Sequence, residues 1–62
     1  MTKVYIIQDA VTKEYYCVDG DWIRGSHGFS VAFLFKFVPT PSIENEEIFK
    51  GRLLEIKELY KI

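Results

Sequence analysis

Two periods of apolar residues divide this chain, and the change from one to the other sets the elements to expect. Val4-Tyr5-Ile6-Ile7 is β-branched and aromatic, the composition of a strand. Val4 and Ile6 fall on one face and Tyr5 and Ile7 on the other, so both faces are apolar. Asp9 to Lys13 carries turn chemistry, with Thr12 and Lys13 at the tip. Glu14-Tyr15-Tyr16-Cys17-Val18 returns as a second strand, which makes residues 3–19 an antiparallel hairpin. Asp19-Gly20-Asp21 is the strongest turn signal, because glycine adopts positive φ without steric cost. Trp22-Ile23-Arg24 adds a short extended piece, and Gly25-Ser26-His27-Gly28 a further turn or loop.

Phe29, Val31, Phe33, Phe35 and Phe37 occupy every second position of the next stretch. In a strand they share one face, whereas a helix scatters them around its circumference. The pattern therefore predicts a strand over about residues 29–38, with a short helix through Ala32 and Phe35 as the competing reading. Pro39 and Pro41 end it, because neither can donate to a ladder. Beyond them the period lengthens. Phe49, Leu53, Ile56 and Tyr60 follow at spacings of 4, 3 and 4 and line one face of a helix. Glu44, Glu46 and Glu47 crowd its start, while Lys57 and Lys61 lie near its end, as the helix dipole favours. Gly51 interrupts the stripe at a cost of roughly 1 kcal/mol relative to Ala. The expected fold is one α+β domain over residues 1–62. It has an antiparallel sheet of about three strands and one C-terminal helix over about residues 42–61.

Composition narrows the function. The chain has 62 residues, 48% hydrophobic and 27% charged, which excludes a disordered tail. Size scaling gives about 6,400 Å² buried on folding. With some 60% of it apolar, burial stabilises by roughly 95 kcal/mol. Ordering the residues costs about the same, so a lone monomer is marginal. Eight Lys/Arg against nine Asp/Glu give a net charge of -1. Nucleic-acid binders of this size carry a basic excess, so that class is disfavoured. One cysteine makes no internal bridge, and no charged start leads into an apolar signal segment. Both point to a cytoplasmic chain. The longest apolar-rich run, Phe29–Val38, is far too short to span a bilayer.

Candidate chemistry is sparse. Cys17 and His27 are the one conventional nucleophile–base pair, yet catalysis also needs oxyanion donors and a cleft. A buried strand thiol and a loop histidine explain them as well. Asp19, Asp21 and His27 fall short of a calcium or zinc ligand set. Gly25-Ser26-His27-Gly28 is neither a P-loop nor a dinucleotide fingerprint. The expectation is no catalytic residue, no metal and no cofactor. Tyr5, Tyr15, Tyr16 and Trp22 are amphipathic aromatics that pack across strands or anchor protein interfaces.

One helix covers one face of a three-stranded sheet. The five-residue Phe-rich face is the natural seat for the Phe49/Leu53/Ile56/Tyr60 stripe. The opposite face then exposes a set drawn from Tyr15 or Tyr16, Ile6 or Ile7, Ala32, Leu34 and Val38, an apolar patch of the kind that marks a contact surface. A homodimer is the economical cover. Its expected contacts are Tyr15, Leu34, Val38 and Gly51, the last because a residue without a side chain admits a second backbone. The expected partner contacts are Tyr16 and Trp22 as anchors, Arg24 as their polar companion, and the acidic group Glu44, Glu46 and Glu47. Two other functions are consistent with the residues: a nucleotide or other small ligand at a dimer seam, and a single-stranded nucleic-acid module using the tyrosines.

Tyr5-Ile6-Ile7, Glu14-Tyr15-Tyr16, Asp19-Gly20-Asp21-Trp22 and Ala32-x-x-Phe35 resemble a pattern in short accessory proteins of phages and prophages. Several of these are counter-defence inhibitors of the anti-CRISPR kind. The resemblance covers residues 5–35 and implies a compact, often dimeric protein that occupies a host defence or regulatory protein. It carries no catalytic residue with it. The Phe-rich run departs from the more polar segment usual around Ala-x-x-Phe.

Overall fold

The computed structural model describes residues 2–39 and 47–61. Four strands form one antiparallel sheet in the order β3-β2-β1-β4. They are β1 (Thr2–Asp9), β2 (Glu14–Tyr16), β3 (Trp22–Arg24) and β4 (Leu54–Lys61). A six-residue helix, α1 (Gly25–Ser30), follows β3, and a 3-10 turn spans Glu47–Phe49. The α+β class and the antiparallel sheet are as expected, with four strands rather than about three.

The hairpin forms where turn chemistry places it. Asp9 Oδ1 accepts from the Val11 and Thr12 amides at 2.8 and 3.1 Å, and the Lys13 amide donates to the Asp9 carbonyl. Side-chain acceptance of this kind closes an Asx turn. Lys13 takes φ +67° at the tip. Gly20, at φ +89°, turns the chain from β2 into β3, a conformation that glycine adopts without strain.

The C-terminal helix over 42–61 is not formed: residues 54–61 are a strand, β4, paired with β1 from Thr2↔Lys61 to Asp9↔Leu54. The portion over 42–46 lies outside the described residues. Gly51 at φ +80° stops any right-handed helix between Phe49 and Leu53. The larger cause is β1. Ile6 and Ile7, adjacent and on opposite faces, are both fully buried, so β1 must run through the middle of the sheet with neighbours on both edges. Its backbone N–H and C=O groups then need partners on both sides, and residues 54–61 supply them on one. Tertiary pairing outweighs the helix propensity of Leu, Glu and Lys here.

The strand over 29–38 is not formed either. Phe29 belongs to α1, and the backbone of the following segment pairs with the sheet at the isolated bridges Cys17↔Ala32 and Tyr5↔Phe35. Helix α1 packs on the face that carries Tyr15, Cys17 and Ile23, with Phe29 edge-on to Tyr15 at 5.6 Å between centroids. Gly28 makes that packing possible, since a Cβ there would lie 2.0 Å from the Ile23 carbonyl oxygen. The alternating phenylalanines therefore share no common face. Phe29 is on the helical side, Phe33 and Phe35 pack against Tyr16 on the other, and Phe37 is 82% exposed. No helix stripe seats on a Phe face.

Candidate interaction surface

On the face opposite α1, Tyr16 is the hub of an aromatic cluster. Its ring lies 5.0 Å from Phe49, 5.6 Å from Trp22 and 5.9 Å from Phe33, and stacks with Phe35 at 6.4 Å. Trp22 also meets Phe49 edge-on at 6.0 Å. Such pairs add stabilisation beyond their burial. The register explains the gathering: Tyr16 sits opposite Trp22, so both rings emerge on the same face, and the 3-10 turn brings Phe49 down onto them.

The polar companion of Trp22 is Arg52, not Arg24. The Arg52 guanidinium lies 3.9 Å from the Trp22 ring centroid. The same group donates to Asp9 Oδ2 at 3.0 Å and to Glu14 Oε1 at 3.2 Å. Arg24, directly opposite Glu14, is exposed. Sequence reasoning missed Arg52 because it lay in a stretch read as helix, more than forty positions from Asp9. The Asp9 carboxyl is held below the usual carboxylate range. The Thr12 amide is the main cause, countered in part by burial and helped by the Val11 amide and Arg52. The cluster is thus self-satisfied: each charged member has a partner within the chain.

The other sequence-derived positions are dispersed, and Ile6, Ile7 and Ala32, expected among the exposed patch, are buried instead because the sheet is covered on both sides there. Tyr15 is half-buried under Phe29. Leu34 and Val38 are exposed, as is Glu47, while Glu44 and Glu46 lie outside the described residues. Among the described residues nothing but its chain neighbours comes within 4 Å of where a Gly51 Cβ would stand, and its positive φ accounts for the glycine. Cys17 is fully buried, its sulfur 3.2 Å from the Tyr15 carbonyl oxygen and 3.7 Å from that of Gly28. Burial pushes its thiol up, away from the thiolate that nucleophilic chemistry needs. His27 is exposed. Among the described residues no three metal-ligating side chains gather, and no helix is long and apolar enough to cross a membrane.

Two features remain open. A shallow cleft of about 250 Å³ is lined by Thr2, Val4, Leu34, Lys36 and Lys61. No aromatic ring lines it, so a nucleobase finds no stacking platform there. The second is the segment from Phe33 to Val38. Its backbone is tied to the sheet at Phe33 and Phe35, with the Phe33 amide on the Tyr16 carbonyl at 2.9 Å and Phe35 exchanging two bonds with Tyr5 at 2.8 Å. Its side chains nevertheless include Phe37, Val38 at 57% exposure and Leu34 at 38%. No family model, curated protein or solved structure matches this chain.

Proposed function

We propose that this chain is a non-enzymatic protein-interaction module, a homodimer that inhibits a bacterial defence or regulatory protein by steric occlusion in the host cytoplasm. The observation that carries the reading is the segment 33–38, anchored to the sheet at Phe33 and Phe35, which exposes Leu34 between the anchors and Phe37 and Val38 just beyond the second. Grouped apolar side chains on a small domain mark contact surfaces, and a backbone already ordered loses little entropy on docking. The buried, proton-retaining Cys17 thiol supports a role without catalysis. The class of partner follows from the resemblance of residues 5–35 to phage counter-defence proteins. Tyr16, Trp22, Arg24 and the acidic group 44–47 are the sequence-based part of the contact surface.

Phe37→Ser is the direct test. The side chain is almost fully exposed, so stability is expected to change by less than about 0.5 kcal/mol. Affinity for a partner purified from the host, measured by calorimetric titration, is expected to fall about tenfold or more, as for an aromatic anchor. Unchanged affinity would remove the segment from the site. Trp22→Ala is a poorer probe, because it also strips the Arg52 stack.

A further inference from the structure

The outer side of β4 has no strand beside it among the described residues. Which groups it presents follows from the ladder. Tyr5 exchanges both its bonds with Phe35, so odd residues of β1 direct N–H and C=O away from β4 and even residues toward it. Their opposites Glu55, Lys57, Leu59 and Lys61 therefore point inward. Leu54, Ile56, Glu58 and Tyr60 point N–H and C=O outward, four consecutive rungs of a free edge. The Ala10 amide on the Leu53 carbonyl at 2.8 Å keeps the same parity. Ile56 and Tyr60 are 38% and 61% exposed, and Leu53 is 64% exposed. Long free edges are usually blunted by charge. Here the charges are arranged so that one pairing escapes repulsion.

We propose that two copies of this chain join β4 to β4, antiparallel, about a two-fold axis at Ile56, merging their sheets into one. Opposed residues in such a pair lie on the same face, so the axis must pass through a residue. Four centres pair five or more residues of β4. A centre at Lys57 sets Lys57 against its own copy, one at Glu58 does the same with Glu58, and one at Leu59 sets Lys57 against Lys61. The centre at Ile56 alone opposes no like charges. It pairs Ile56 with Ile56, Leu54 with Glu58, and Glu55 with Lys57 twice over. Beyond β4 it sets Leu53 against Leu59. Glu55 and Lys57 already lie on one face, 3.2 Å apart, so the dimer closes a ring of four alternating charges. The occupant is a second copy because the charge order Glu-Ile-Lys is complementary to itself when reversed.

This names the interface of the homodimer proposed above and rests on that part of the reading. Sedimentation of the full chain over a range of concentrations tests it, with circular dichroism confirming that each variant is folded. E55K and K57E each replace two attractive cross-strand pairs by two repulsive ones, and each is expected to weaken the dimer by about tenfold or more. An equimolar mixture of the two variants restores opposite charges across the seam and is expected to dimerise as the unaltered chain does. The amides of Leu54, Ile56 and Glu58 are expected to exchange with deuterium more slowly in concentrated than in dilute protein. Variants that dimerise normally, or a mixture that stays monomeric, would overturn the edge while leaving a homodimer elsewhere on the surface. An unaltered chain that is monomeric would overturn the edge and the homodimer together, and the Phe37 titration would judge partner occlusion separately.

Discussion

Gly28→Ala puts the packing of α1 on the sheet to a quantitative test. The new Cβ would stand 2.0 Å from the Ile23 carbonyl oxygen and 2.6 Å from its carbon, about 1.5 Å short of ordinary contact. Both obstacles are backbone in β3, so no rotamer relieves the clash. Either α1 lifts or β3 bends. Overpacking of this kind costs about 3 kcal/mol at the upper end of its usual range, and the gain from alanine in a six-residue helix offsets at most about 1 kcal/mol. A domain of this length has about 3–9 kcal/mol in hand, so a net loss of about 2 kcal/mol removes a large fraction. For this size it lowers Tm by roughly 8–16 °C. The Cys17 sulfur, covered by the Gly28 carbonyl, supplies a second readout. A thiol reagent that does not react with the folded protein is expected to label the variant before it unfolds. A Gly28→Ala variant with unaltered Tm and a protected thiol would refute the placement of α1.

Other consequences follow from the Arg52 cluster. Arg52→Lys keeps the charge but loses the planar stack on Trp22; it is expected to cost about 1 kcal/mol and to change the emission of the single tryptophan. Unchanged fluorescence in the folded variant would argue against the stack. Asp9 gives a pH dependence: its carboxyl is held below the ordinary 3.8, so the stability it contributes is present above that value and drains away as pH falls through the lower, folded-state value. Asp9→Asn is expected to flatten the acid limb of a stability–pH curve, and a limb of unaltered slope would show that other carboxylates set it.

The hairpin was legible because its signals are local. β-branched runs on either side of Asp9–Lys13 specify strands and turn together, and Asp9 closes its own turn with side-chain acceptance. Tyr16 and Trp22 were legible as amphipathic aromatics near the hairpin, and the structure makes them cross-strand neighbours one tight turn apart. The rest depended on distant residues. Residues 54–61 satisfy a helical stripe and a strand alternation alike, and nothing within them chooses. The choice is made by β1, whose two apolar faces leave it no place but the sheet's interior and whose amides then draw β4 alongside. The phenylalanine alternation over 29–37 misled because a two-residue period is meaningful only if the backbone is extended throughout. Gly28 let the chain coil against β3 instead.

The sequence by itself therefore determined a small α+β domain with an antiparallel hairpin, a single cysteine and nearly balanced charge. Only the tertiary structure decided that the C-terminal segment is a strand, that Arg52 rather than Arg24 caps Trp22, and which phenylalanines face water. The physical reason is one of range. Turns and strand pairs are fixed by residues a few positions apart, whereas the demand for backbone hydrogen bonds and apolar cover is met by whatever segment the fold brings within reach.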